Sequence, residues 1–156
     1  MKKFIGGICI FLLVLLVSGC GEEQKELTRK CTFTSNNLAQ GYVLDTVYTI
    51  YYQGNVVNKV VSLETVTSSD SSILDYFETT LKNTYNQYDQ AYGGYVNNIS
   101  VNDGKLVSET TIDYNEMNLE KYVQDNSVMS NYVNDDNKIT VDGIVAIYKA
   151  TGAVCE

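Results

Sequence analysis

The residues of this chain that could do chemistry are its carboxylates, lysines and tyrosines, because its 156 residues include no histidine. General acid–base catalysis would therefore fall to Asp, Glu, Lys or Tyr. With 19 acidic residues in the chain, neighbouring carboxylates are expected by chance and do not by themselves indicate an active site. The G-x-x-x-x-G-K-[ST], G-x-S-x-G and S-x-x-K patterns are absent from the sequence. We predict no catalytic residue and no cofactor.

The segment nearest in type to a metal-binding loop is Asp135-Asp136-Asn137. It lacks the D-x-[DN]-x-[DN]-G spacing and the closing Glu of an EF-hand. A tetrahedral zinc site normally draws on Cys and His ligands, and the chain has no His and, beyond residue 20, only two Cys. We predict a solvated polar loop at this segment and no metal site.

A tyrosine-rich stretch is the best candidate for binding. The chain has 13 tyrosines, and between residues 85 and 95 they are interleaved with amide side chains. Such rings can stack on a sugar, and Tyr is also enriched in protein interfaces. The alternative is that the rings pack on a sheet with their hydroxyls at the rim. The candidate binding patch consists of Tyr85, Tyr88, Tyr92 and Tyr95, and its partner would be a protein or a glycan.

The N-terminus reads as a secretory signal. A basic start, Met1-Lys2-Lys3, precedes the apolar run 4–17, which is shorter than the roughly 20 residues of a membrane span. The run ends in Val17-Ser18-Gly19-Cys20, which resembles the lipobox [LV]-[AST]-[GA]-C of bacterial lipoproteins. The resemblance implies cleavage after residue 19 and a diacylglyceryl thioether on Cys20. The protein would then be lipid-anchored in the cell membrane and face the extracytoplasmic side.

Charge limits the partners of the domain. The whole chain carries a net charge of −8, and loss of Lys2 and Lys3 with the signal makes it −10. Nucleic acid is therefore excluded as a partner, because it requires a basic footprint. The charged segment 20–30 has no apolar pattern and is predicted to be an acidic tether that holds a single domain, residues 31–156, off the membrane.

Two cysteines remain after Cys20. Cys31 and Cys155 stand at opposite ends of the predicted domain. In an oxidising exterior such a leftover pair favours a disulfide over a metal site.

Period-2 patterns with β-branched and aromatic residues predict the strands. We expect a strand from about Cys31 to Thr34 and then a polar connection, 35–41. Two hairpins follow, one of strands 42–52 and 56–67, the other of strands 95–101 and 105–114 with Asp103-Gly104 at its turn.

Helices are predicted between and after the hairpins. Apolar residues recur every three or four positions from Ile73 to Tyr92, with Ser72 as the expected cap and Gly93-Gly94 as the stop. A short helix is expected over 119–123, irregular structure over 127–138 and a final helix over 140–150. The predicted fold is α+β: an antiparallel sheet built from two hairpins, with a long amphipathic helix between them and C-terminal helices packed on one face.

The order and texture of these segments resemble one family. The lipobox, the tether, the hairpin "YVLDTVYTIYYQGNVVNKVVSLETV", the helix ending at Tyr92-Gly93-Gly94, the hairpin "VNDGKLVSETTIDYN" and the terminal "ITVDGIVAIYKATGA" are similar to the YehR-like lipoproteins. The resemblance implies a small bacterial envelope lipoprotein, and it supplies no catalytic residues. It also implies that the Cys31–Cys155 pair belongs to a subgroup.

Two functions are consistent with these observations. The first is a non-enzymatic envelope lipoprotein that binds a protein or glycan partner. The alternative is a carboxylate-dependent enzyme acting on a cell-envelope glycan. An exposed tyrosine patch would favour the first, and a cleft with several carboxylates of perturbed pKa would favour the second.

Overall fold

The computed structural model describes residues 25–156. The predicted signal segment, 1–19, and the predicted lipidation site, Cys20, lie outside the described residues.

The first three strands form an antiparallel meander. Strand β1 (Leu27–Asn37) pairs along its whole length with β2 (Tyr42–Gln53), and β2 pairs with β3 (Val56–Thr67). The β2–β3 hairpin is confirmed. Strand β1 is longer than predicted at both ends, because pairing with the strongly strand-forming β2 overrides its polar composition. The segment predicted as a tether therefore overlaps the sheet from Leu27, and the connection to β2 shrinks to a 3-10 turn at Leu38–Gln40.

Helix α1 (Ser71–Tyr92) follows β3. Its N-cap is Asp70, whose carboxylate accepts a hydrogen bond from the Ser72 backbone N–H at 2.9 Å. The prediction of a cap at Ser72 was wrong by two residues; the Ser72 hydroxyl instead donates to the same carboxylate. The helix ends at Gly93, as predicted.

A second hairpin, β4 (Tyr95–Asn102) and β5 (Lys105–Asp113), completes the main sheet. Its turn residues Asp103 and Gly104 both have positive φ, 48° and 73°, which is the two-residue turn that matches strand twist. Strand β5 pairs with β3, so the hairpin extends the meander on the side opposite to β1.

The C-terminal third supplies the remaining elements. Helix α2 (Leu119–Asp125) is capped by Asn118, whose side-chain oxygen accepts a hydrogen bond from the Lys121 backbone N–H. The segment predicted as irregular begins with a 3-10 helix, Ser127–Tyr132. Helix α3 (Val141–Ala150) begins one residue later than predicted, since Thr140 is its N-cap. A short strand, β6 (Val154–Cys155), was not predicted; it pairs with β1.

The strands form one six-stranded antiparallel sheet in the order β4-β5-β3-β2-β1-β6. The α+β prediction is confirmed. Helix α1 contacts β3 through Tyr85, and α3 contacts β2 through a stack of Tyr148 on Tyr48. These strand residues lie on one side of the sheet, so α1 and α3 cover one face, and no helix of residues 25–156 covers the other.

The core under the helices has two parts. The larger cluster lies around Ile50, Val60 and Ile144, beneath α2 and α3 and the C-terminal half of α1. The smaller cluster consists of Val66, Leu74 and Leu106, together with the partly buried apolar side chains packed against them, and lies beneath the first half of α1. No helix within residues 25–156 is long and apolar enough to cross a membrane.

Candidate functional site

A band of polar side chains separates the two apolar clusters on the helix-covered face. It lies in two neighbouring rows across the sheet, because Thr46, Glu64 and Ser108 are paired in register, as are Ser62, Thr110 and Asn97. Four of its members are almost fully buried, namely Thr46, Ser62, Ser108 and Thr110. We call this set of six residues the polar band.

The alternation of side chains between the two faces of each strand explains why the polar band is buried. Along β3, the inward positions run Val60, Ser62, Glu64, Val66. Two polar residues thus interrupt an apolar row at the centre of the sheet, where burial of unsatisfied polar atoms is costly. Hydrogen bonds within the band meet this demand: the Asn97 amide donates to Ser108 Oγ at 2.8 Å and to Thr110 Oγ1 at 2.7 Å.

Glu64 is the acidic member of the band. Its Oε1 accepts a hydrogen bond from the Tyr85 hydroxyl of α1 at 3.0 Å and a longer one from Ser62 Oγ at 3.4 Å. Burial raises the pKa of this carboxyl above its ordinary value, and the two hydrogen bonds oppose part of that rise. Glu64 thus combines a half-buried position with neutral hydrogen-bond donors.

The carboxylate also affects its tyrosine neighbours. Burial first, and then the negative charge of Glu64, raise the pKa of both Tyr85 and Tyr48. Their hydroxyls therefore stay protonated at neutral pH, and that of Tyr85 donates to Glu64. The ion pairs found within residues 25–156 involve other acids, Asp142, Glu78 and Asp125, so the partners of Glu64 in the described structure are hydroxyl groups.

Glu64 is the one carboxyl group of the polar band, so proton transfer within the band would involve that group alone. Glycoside hydrolysis normally uses two carboxyl groups flanking the bond, about 5–9.5 Å apart. Burial and the hydrogen bonds from Tyr85 and Ser62 shift the Glu64 pKa, and no second carboxyl group contributes to the shift. Convergent carboxylates, the feature that would favour an enzyme, are thus not found around Glu64 in the described part of the chain.

Sequence analysis missed Glu64. The signal was the recurrence of polar residues at inward positions of neighbouring strands, at 46, 62, 64, 108 and 110. That signal becomes visible only with the strand register, because each strand alone reads as an ordinary alternation of apolar and polar residues.

The structure brings together the four tyrosines predicted as a binding patch. Tyr88 lies against both Tyr95 and Tyr92, with ring centroids 5.5 Å and 6.1 Å apart, and Tyr85 lies 6.4 Å from Tyr95. Tyr122 of α2 joins the group edge-on against Tyr92 at 5.1 Å. The five rings form one aromatic cluster between α1, α2 and the start of β4.

The five rings differ in exposure: one is buried, three are partly buried and one is exposed. Tyr95 belongs to the core with 9% of its surface exposed, whereas Tyr88 is 39% exposed. Burial raises the pKa of Tyr85, Tyr95 and Tyr122, as expected for phenols removed from water. The surface available to a ligand is therefore centred on Tyr88, with the partly buried Tyr92 and the Lys121 ammonium 5.1 Å above its ring.

Cys31 and Cys155 form the predicted disulfide. They are directly opposite each other in the β1–β6 pair, and Cys31 is fully buried. The bond ties the C-terminal strand to the first strand of the sheet.

No group of three or more Cys, Asp or Glu side chains within residues 25–156 is arranged to hold a metal ion. The acidic loop at 135–137 is closed by Asn134, whose side-chain oxygen accepts from the backbone N–H groups of Asp136 and Lys138. This is a tight turn between Val133 and Ile139, which form a β-bridge.

Comparisons with known proteins show the fold. No protein-family model matches the chain, and no curated protein matches it. An NMR structure of a protein from Streptococcus pneumoniae TIGR4 is 15% identical with a TM-score of 0.51, over 100% of this chain and 96% of that one. An NMR structure of E. coli YehR is 20% identical with a TM-score of 0.54, over 85% of this chain and 92% of that one. At these identities the likeness shows a common fold and carries no residue roles, so the fold expected from the YehR-like resemblance is found.

Proposed function

We propose that this protein is a YehR-like envelope lipoprotein, anchored in the cell membrane through lipid on Cys20. We further propose that its single domain binds an envelope protein or a glycan without transforming it. The lipobox-like Val17-Ser18-Gly19-Cys20 supports the anchor, since two or more acyl chains suffice for stable attachment whereas one does not. The Cys31–Cys155 disulfide supports an extracytoplasmic location, because disulfides persist in oxidising compartments.

The observation that favours binding over catalysis is the chemistry around Glu64. The half-buried Glu64 carboxyl accepts hydrogen bonds from the hydroxyls of Tyr85 and Ser62, and no second carboxyl among the described residues shifts its pKa. The exposed ring of Tyr88 adds a surface on which a sugar or a protein side chain can stack. Recognition of a sugar or a protein side chain requires such a contact surface and no catalytic acid–base pair.

One observation keeps the alternative in view. The raised pKa of Glu64 is a property of general acids in enzymes that act on glycans. A carboxylate-dependent enzyme would lose its activity in Glu64→Gln, so incubation of the purified domain with cell-wall glycan, followed by analysis of released reducing ends, separates the two functions. The binding proposal predicts no release by the wild-type domain.

The anchor is tested by metabolic labelling with a palmitate analogue. The wild-type chain should be labelled and Cys20→Ala should not, while Cys31→Ala serves as a matched control because that cysteine lies in the domain. Labelling of Cys20→Ala at the wild-type level would contradict the lipid anchor.

Binding is tested by crosslinking the intact lipoprotein in its native envelope and identifying what copurifies by mass spectrometry. We expect a reproducible partner whose yield falls in Tyr88→Ala. The matched control is Tyr76→Ala, since Tyr76 is an exposed tyrosine at the other end of α1. Equal yields from both variants would remove Tyr88 from the binding surface.

A further inference from the structure

The two edges of the sheet differ in a way that suggests a use for one of them. On one side the two-residue β6 pairs only with Cys31 and Thr32, so the rest of β1, which carries Arg29 and Lys30, also lies at that edge; the other edge is β4, with eight residues. Natural proteins normally protect long edges with charges, proline or bulges, because an open edge is a template for another strand. Strand β4 reads YVNNISVN and has none of these devices, although the chain carries a net charge of −8.

The register identifies the backbone groups that face outward. Asn102 and Lys105 flank a two-residue turn and therefore form a hydrogen-bonded pair. Because hydrogen-bonded and non-hydrogen-bonded pairs alternate along an antiparallel hairpin, every second residue of β4 counted back from Asn102 directs its N–H and C=O toward β5. The Asp113 N–H bonded to the Gly94 carbonyl at 2.8 Å agrees with this pattern. The N–H and C=O groups of Asn97, Ile99 and Val101 therefore point away from the sheet.

The first outward N–H of β4 already has a partner. The Tyr95 N–H donates to Asp89 Oδ1 of α1 at 3.1 Å. Among the hydrogen bonds of residues 25–156, none satisfies the corresponding N–H groups of Asn97, Ile99 and Val101. These three residues leave a regularly spaced row of donors and acceptors, about 7 Å apart, that matches an extended backbone.

Features on both sides of this edge can receive the side chains of an added strand. On the helix-covered side, the exposed Tyr88 ring stacks on Tyr95, the first residue of β4. On the helix-free side, a shallow depression of about 260 Å³ lies next to the centre of β4. Its lining residues are Leu63, Asn98, Ile99, Ser100, Val107 and Glu109. Strand addition uses this combination: backbone pairing for affinity and flanking pockets for specificity.

Charge narrows the class of partner. The edge itself is neutral, but the carboxylates of Asp89 and Glu109 flank it. A second copy of this chain, with its net charge of −8, would be repelled, whereas a segment with basic residues beside an uncharged core would be attracted.

We propose that β4 is a docking edge for an extended segment of another envelope protein, one that carries Lys or Arg beside an uncharged stretch. The segment adds a seventh strand next to β4 and contacts Tyr88 on one side and the depression at Leu63 on the other. This inference rests on the proposed binding function and names the surface and the partner class.

The test begins with a photo-crosslinking amino acid at Asn98 in the full-length lipoprotein, in cells, with Leu38 as the comparison site. Leu38 is also exposed and lies in the turn between β1 and β2. The segment crosslinked to Asn98 is mapped by mass spectrometry and synthesised as a peptide. Its binding to the isotope-labelled protein is then measured by NMR.

Val101→Pro is the decisive variant, with Val101→Thr as its matched control. Proline removes only an outward N–H at this position, which is where an edge strand tolerates it, and threonine keeps that N–H and the β-branched shape. We expect the mapped peptide to be basic, to slow hydrogen exchange at Asn97, Ile99 and Val101, and to bind Val101→Pro about tenfold or more weakly than Val101→Thr. Tyr88→Ala provides a second test if Val101→Pro does not fold.

Four outcomes would overturn the proposal. Equal affinities for the two Val101 variants would exclude pairing at the edge, and a crosslink from Asn98 to a second copy of the chain would replace the partner by a dimer. Crosslinks from Leu38 alone would exclude the β4 edge as the docking surface but leave the proposed binding function intact. The absence of specific crosslinks from both sites would remove the proposed function as well.

Discussion

The disulfide between Cys31 and Cys155 should be the largest single contribution to stability that one covalent change can remove. The two cysteines are 124 residues apart in sequence, so the bond closes a loop through nearly the whole domain in the unfolded chain. Its loss releases that constraint in the unfolded chain, whereas the freedom gained by the folded state is confined to the short β6, which pairs with β1 through two residue pairs.

The magnitude follows from the loop length. For a loop of this size the chain-entropy relation yields a stabilisation of about 5 kcal/mol at 25 °C. A domain the size of residues 25–156 unfolds with an entropy near 0.28 kcal/mol/K, on the order of 2.1 cal/mol/K for each residue. Loss of the disulfide should therefore lower the melting temperature by about 15–20 °C.

The assay compares the oxidised domain with the same domain unfolded, reduced and refolded in reductant, because Cys31 is fully buried and inaccessible in the folded protein. Thermal melts are followed by circular dichroism, and free thiols are counted. The double variant Cys31→Ala/Cys155→Ala is the control: it should melt near the reduced protein and be insensitive to reductant. A reduced wild-type protein that melts within a few degrees of the oxidised one would refute the entropic reasoning.

Three further predictions test the interior. The folded state raises the Glu64 pKa, so the stability contributed by this group is complete below the unfolded pKa of about 4.3 and is lost as pH rises through the folded value. Glu64→Gln should therefore gain stability relative to wild type between pH 4 and pH 7 in urea titrations, and parallel curves would contradict this. Thr140→Ala should cost about 1–2 kcal/mol because Thr140 Oγ1 accepts from the Gly143 N–H and donates to the Tyr132 carbonyl; Thr140→Ser should recover most of the loss, and failure to do so would contradict the cap. Gly94→Ala should cost more than about 2 kcal/mol, since a Cβ there lies 2.5 Å from the Asp113 carbonyl oxygen at a φ of +78°. Gly152→Ala, with a similar φ of +95° but a nearest contact of 3.6 Å, should cost less, and equal losses would show that the clash is relieved.

The local patterns of the sequence were sufficient for most of the elements. Strands β2 to β5 and helix α1 were predicted close to their observed limits, because each has a strong period of 2 or 3.6 and ends at a glycine or a turn. The turn at Asp103-Gly104 was predicted for a similarly local reason, since both residues tolerate positive φ. The helix caps were less accurate, because Asp70 and Ser72 compete for the same role within one turn.

Elements that depend on pairing were predicted poorly. The ends of β1 and the whole of β6 carry little strand signal of their own, and they are ordered by the partner strand and by the Cys31–Cys155 bond. Their existence therefore depends on contacts between residues far apart in the chain, which no window of sequence contains.

The features of the candidate sites likewise divide into those set by local sequence and those set by contacts between distant residues. The sequence by itself determined the lipobox-like motif and the grouping of the tyrosines, because these follow from residue types at short spacings. It also determined the acidic charge and the pairing of Cys31 with Cys155, because these follow from the counts of charged residues and of cysteines. Only the tertiary structure decided that Tyr95 is core while Tyr88 reaches solvent, that Glu64 lies in a buried polar band, and that β4 is an open edge. The physical reason is that exposure, pKa and edge position are set by what packs against a residue, and that depends on the register and order of strands that are distant in sequence.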